Sequence, residues 1–171
     1  MLLADELLEH ARFLANIDAR TTTQANIRRA ISAAYYAVFH LLAAEVAAQV
    51  SPDRPVGLRE RTQRALNHAR MVDVAKAFSQ AAGKRVKGLP DDIQLPEPIS
   101  KELTSISNSF KELQEVRHTA DYDVLKQLYP TDALTMVQKA ENIFKDWKTE
   151  KSSRNAPVFL AAMIFGKDWN K

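Results

Sequence analysis

Apolar residues return every three or four positions along most of the chain, and no stretch keeps the two-residue alternation of a half-buried strand. Leu3, Leu7, Ala11, Leu14 and Ile17 predict a first helix over about residues 2–18. From Ile27 to Val50 the pattern broadens. Ile27, Ile31, Ala34, Tyr35, Val38, Leu41, Leu42 and Val46 fall on one face, and Ala30, Ala33, Ala37, Ala44 and Ala48 form a second, flat one. Arg29, Ser32, Tyr36 and His40 make a narrow polar line between them. A helix apolar on most of its circumference is central to its domain, so these polar residues need partners or a solvated groove. Thr21 and Gln24 have capping-box spacing and place its start, while Ser51-Pro52-Asp53-Arg54-Pro55 cannot continue it.

A third helix is predicted from Leu58 to Ala82, with Gly83 as its stop. Residues 88–98 contain Pro90, Pro96 and Pro98 and read as a loop, either ordered or mobile. Ile99, Leu103, Ile106, Phe110 and Leu113 then step along one helix face, and the same rhythm lands on Arg117 and Ala120. A guanidinium on that line cannot lose its charge to escape burial. It must lie where the helix opens to water or be held by a carboxylate, and Asp121, one turn on, is the local candidate. Ala133, Val137, Ala140, Phe144 and Trp147 repeat the pattern after Pro130. Residues 149–154 read as a polar hinge before a short apolar helix that opens at Asn155-Ala156-Pro157 and stops at Gly166. The reading is an all-α chain of five or six helices. Its organisation is a bundle over 1–148, then the hinge and apolar helix of 149–171 packing on the bundle or on a second subunit.

Composition narrows the function. Four glycines and many Ala, Leu, Lys, Glu, Gln and Arg residues favour helix. The absence of cysteine removes disulfides and thiolate metal sites and suits a cytoplasmic protein. Neither a basic leader nor an unbroken apolar run of membrane length is apparent, so no membrane partner is expected. The formal net charge is only +3, but residues 51–90 hold nine Arg and Lys against three Asp and Glu. That segment therefore nets +6 and the remainder −3. It is either a solvated basic face or a phosphate-binding footprint.

Histidine is the natural place to look for chemistry at neutral pH. His10, His40, His68 and His118 fit no metal-ligand spacing, and no Gly-rich phosphate loop occurs, so neither a metal nor a cofactor is expected. His10 reads as an ordinary polar-face residue. His40 ends the polar line, as a satisfied histidine or a catalytic one. His68 follows Arg61 by seven and Arg64 by four, so on one continuous helix all three share a face. They either bind phosphate or reflect spacing within an Arg-rich stretch. Arg117, His118 and Tyr122 near a helix end could grip a phosphodiester and move protons during metal-free RNA cleavage. Adjacent helical residues diverge by about 100°, however, which separates Arg117 from His118 unless the helix ends between them. Asp121 and Asp123 serve equally as salt-bridge or capping groups.

Two motifs carry a family resemblance. Arg28-Arg29-Ala30-Ile31-Ser32-Ala33-Ala34-Tyr35-Tyr36-Ala37-Val38-Phe39-His40 is followed much later by Arg117-His118-Thr119-Ala120-Asp121-Tyr122-Asp123. Together they resemble the HEPN superfamily (higher eukaryote and prokaryote nucleotide-binding domains), in its form with an Ala-Asp-Tyr-Asp motif, over roughly residues 2–148. The resemblance implies an antiparallel up-and-down bundle of four to six helices, usually a homodimer. Members are often RNases, or toxins paired with a nucleotidyltransferase antitoxin; others only bind RNA or nucleotides. Active members carry an Arg and a His with four to six residues between them. Arg117 matches that Arg, but Tyr122 stands where the His is expected and the only following histidine is the adjacent His118. Arg61 and His68 have the spacing in the wrong part of the bundle. The preferred expectation is a module that binds RNA, a nucleotide or a nucleotidyltransferase-type protein without efficient cleavage. Arg29, Ser32, Tyr36, His40, Asp121, Arg61, Arg64 and His68 are its candidate ligand-binding residues. The alternatives are a metal-independent endoribonuclease using Arg117 with His118, Tyr122 or His40, and a purely structural dimeric scaffold.

Overall fold

The computed structural model describes residues 2–50 and 56–166. Among them the fold is all-α, with α1 (Leu3–Ala15), α2 (Gln24–Val50), α3 (Val56–Ala65), α4 (His68–Ser79), α5 (Lys101–Tyr122), α6 (Pro130–Glu150) and α7 (Ala156–Phe165). Backbone pairs at Ala82–Arg85 and Lys87–Leu89 are isolated bridges within a loop rather than strands. The chain forms two compact units, the first from residues 1–41 and 109–144 and the second from 42–108 and 145–171.

In the first unit, α1 buries Ala4, Leu8, Ala11 and Ala15. The inward face is thus turned by about one residue from the predicted one: Leu3 is 54% exposed, because the alanines allow the closer approach. The start of α2 also differs from the predicted cap. Thr23 Oγ1 accepts the Asn26 N–H at 3.2 Å, whereas the Thr21 hydroxyl donates to the Asp18 carbonyl. Gln24 instead fixes the approach to α6, donating to the Leu128 carbonyl at 2.6 Å and accepting its N–H at 3.3 Å. Helices α2 and α5 run antiparallel here. Ascending α2, Arg28 meets the last turn of α5, Ser32 meets Asp121 and the Tyr35 ring stacks on Phe110 at 5.7 Å, so early residues of one face late residues of the other. Surface pairs Arg12–Glu141 and Lys139–Glu112 add little to stability at such exposure.

The second unit centres on Trp147, Phe78 and Phe159, the two phenylalanines meeting edge to face at 5.0 Å. Here the single predicted helix of 58–82 is two. Asn67 leaves helical geometry (φ −111°, ψ 126°) and its side chain accepts the Arg70 N–H, so the chain stops at Ala65 and restarts at His68. Gly83 lies beyond the end of α4, at φ 61° in the following turn. The proline-rich loop is ordered around a buried Leu95, whose N–H bonds to the Lys84 carbonyl at 2.9 Å. Glu150, in the predicted polar hinge, is only 3% exposed. Its carboxylate accepts the Ser100 and Ser153 hydroxyls at 2.6 and 2.5 Å. Those hydroxyls in turn accept the N–H groups of Leu103 and Ala156, at the starts of α5 and α7. One carboxylate therefore orients two helix caps.

By length and composition α2 is, among the described residues, the one helix long and apolar enough to cross a membrane. Of its most apolar window, 72% is buried inside the protein, the pattern of a core helix. The Ser51–Pro55 breaker predicted to follow it, and residues 167–171, lie outside the described residues.

Candidate functional site

The site lies in the first unit, where the polar line of α2 meets the last two turns of α5. Arg117 occupies a core-facing position, and its side chain keeps only 16% of its exposure. Its Nε lies 2.7 Å from Asp121 Oδ2, an i,i+4 ion pair that is not aligned as a hydrogen bond. Nη2 donates to the Tyr36 hydroxyl at 2.5 Å. The guanidinium carbon sits 5.1, 5.7 and 5.5 Å from the ring centres of Tyr36, Tyr35 and Tyr122, within reach of cation–π attraction. Asp121 is held in turn by the Ser32 hydroxyl, which donates to its Oδ1.

The electrostatics follow from this enclosure. Burial opposes the Arg117 charge most, but Asp121 and then Tyr36, Tyr122 and Tyr35 more than offset it and leave its pKa raised. Burial pushes the Tyr35 pKa far up despite the opposing charge of Arg117, so that hydroxyl keeps its proton at neutral pH. The groups around the guanidinium are thus a carboxylate and tyrosines, and no histidine is bonded to or stacked on it among the described residues.

The histidines lie elsewhere. Helix α5 continues through His118 to Tyr122, so Arg117 and His118 diverge as helical geometry requires. Exposed His118 instead packs its ring against Tyr122 at 5.0 Å, making Tyr122 the shared neighbour of both residues. His40 is half-buried, meets Phe39 edge-on at 5.4 Å, and has its pKa lowered by burial. It is not among the side chains bonded to or stacked on Arg117. Arg29 is exposed and outside the cluster. Arg61, Arg64 and His68 do not share the helix face predicted for them, because the break at Asn67 places the first two on α3 and the third at the start of α4.

Sequence reasoning missed Arg28. Its Nη1 donates to the carbonyls of Ala120 at 2.7 Å, Asp123 at 3.0 Å and Thr119 at 3.4 Å, and its Nη2 to Lys126 at 2.6 Å. It closes the C-terminal end of α5, where carbonyls lack intrahelical partners and the helix dipole favours a cation. The Asp123 side chain completes the turn by accepting the Leu125 and Lys126 N–H groups. The signal was a doubled arginine at the start of an apolar helix, but the partners are main-chain oxygens, which no residue type announces.

Among the described residues no three His, Asp or Glu side chains converge as metal ligands. The class defined so far is an all-α protein with an aromatic-caged, ion-paired arginine beside an exposed Tyr–His pair. No family model, curated protein or solved structure matches the chain.

Proposed function

We propose that this is a HEPN-like helical module, acting in the cytoplasm as a homodimer, that binds RNA or a nucleotide without efficient cleavage. A nucleotidyltransferase-type protein is the proposed partner. The observation that carries the reading is the set of groups around Arg117. Cleavage through the RNA 2′-hydroxyl needs a group that takes and returns a proton near pH 7 beside the gripped phosphate. The side chains touching Arg117 are Asp121, Tyr35, Tyr36 and Tyr122. Binding asks less. Nη1 of Arg117 makes no protein hydrogen bond among the described residues and carries two N–H donors for a phosphate oxygen. Tyr122, 64% exposed, offers a ring face on which a base can stack. The second reading, a metal-independent endoribonuclease, draws support from the His118–Tyr122 ring contact.

Binding of a fluorescently labelled single-stranded RNA, and of a labelled nucleotide, in EDTA at low salt tests both. Wild-type protein should bind without cutting, with affinity falling steeply as salt rises because bound phosphates release counterions. Arg117→Ala and Tyr122→Ala should each weaken binding by about tenfold, the scale of one charged or stacking contact. Cleavage that disappears in His118→Ala or His40→Ala would establish the endoribonuclease instead. If neither RNA nor nucleotide binds, the nucleic-acid reading fails and the protein partner remains.

A further inference from the structure

Three helices of the second unit line a cavity of about 180 Å³. Each presents two residues one turn apart: Glu45 and Gln49 of α2, Trp147 and Lys151 at the end of α6, and Ala156 and Leu160 of α7. Lys151 stands just past α6, but its N–H bonds to the Trp147 carbonyl at 2.9 Å and keeps it one helical turn from the indole. Trp147, Ala156 and Leu160 are buried and make the walls apolar. The Trp147 Nε1–H is buried too and has no hydrogen-bond partner among the described residues. Gln49 Nε2 donates to the Pro157 carbonyl at 3.0 Å, which ties α2 to α7 at the cavity and leaves Oε1 as an acceptor. Glu45 is half-buried and Lys151 exposed. Neither makes an ion pair or a side-chain hydrogen bond among the described residues.

We propose that this cavity binds a small zwitterion of the class of free alanine, its ammonium toward Glu45 and its carboxylate toward Lys151. Opposite charges that line one cavity without pairing leave complementary places for the two ends of such a molecule, each rewarded by charge-assisted hydrogen bonds. At roughly 30 Å³ per water-sized group, the volume admits about six non-hydrogen atoms, the size of alanine. The apolar walls take its methyl group. A ligand carrying only one of the two charges leaves the other side chain without a counter-charge. The site lies in the second unit and stands or falls independently of the nucleic-acid reading.

L-Alanine is the probe, with propionate and ethylammonium as controls that each lack one charge. The readouts are amide and indole N–H spectra of the full chain, titrated at low and constant ionic strength. Alanine should bind saturably with a dissociation constant on the order of 1 mM, modest for so few atoms. It should shift the amides of Ala48, Gln49, Lys151 and Ala156 and the indole N–H of Trp147, while both controls should bind at least tenfold more weakly. Glu45→Gln and Lys151→Gln keep side-chain size and remove one charge each. Either should weaken alanine binding by about tenfold, equivalent to about 1.4 kcal/mol. Lys151 is exposed, so Lys151→Gln decides alone should Glu45→Gln fail to fold. Absence of saturable shifts at these residues, binding of either control as tight as that of alanine, or an unchanged affinity in Lys151→Gln would each overturn the proposal.

Discussion

His40 shows how burial alone tunes a residue. It lies one turn beyond Tyr36, and its lowered pKa comes from loss of hydration. The unfolded chain therefore binds that proton more readily than the folded one. Its contribution to stability is fully present above the ordinary value of 6.5 and is lost as pH falls through the lower folded value. The melting temperature should accordingly drop between pH 7.5 and pH 5, and His40→Gln should flatten that drop; equal drops in both proteins would refute the assignment. Other residues were legible for simple reasons. The Arg117–Asp121 pair follows from a charge on a core-facing line and a carboxylate one turn later. The pairing of Ser32 and Tyr36 with α5 follows from polar groups on a mostly apolar helix, which must be satisfied. Arg28 was not legible, because every one of its hydrogen bonds goes to a carbonyl.

At the level of elements, Arg28 ties the first third of α2 to the end of α5 and to the turn that follows. Arg28→Ala should cost about 2 kcal/mol, since it strips charge-assisted bonds from four carbonyls that solvent only partly replaces. Arg28→Lys should recover only part of this, because one ammonium cannot span Ala120 and Lys126 as the guanidinium fork does. Denaturant midpoints, with amide exchange at residues 123–128, would measure both effects; full rescue by lysine would show that charge alone matters. Helix existence was plain from periodicity, while the break at Asn67 was masked by apolar residues that keep helical spacing across it. The predicted hinge at 149–154 failed to reveal a buried acid for a related reason. Glu150 looks polar in sequence, yet the serines that bury it lie 50 residues before it and three after it.

For the whole molecule, the all-α class followed from composition and period, both distributed over the entire chain. The assembly of each compact unit from two separated stretches did not, because pairing across such distances leaves no local pattern. The apolar segment 158–165 was expected to pack on the bundle or on a second subunit. Half of it, Phe159, Leu160, Ala162 and Met163, is buried within the chain. Exposed Phe13, Val124, Leu125 and Tyr129 leave apolar area on the first unit for the proposed dimer. Light scattering over a concentration series should give about twice the chain mass of 19.2 kDa; that single mass at every concentration would rule the dimer out.

The split composition of the first unit also has a consequence for biosynthesis. Residues 1–41 leave the ribosome well before 109–144, which complete their unit. At about 5–20 residues per second, the intervening stretch takes several seconds to make. During that interval α2 presents its apolar surface with no α5 to cover it, and Arg28 waits for carbonyls not yet synthesised. The long, largely apolar α2 is thus a helix that a nascent-chain chaperone has several seconds to grasp.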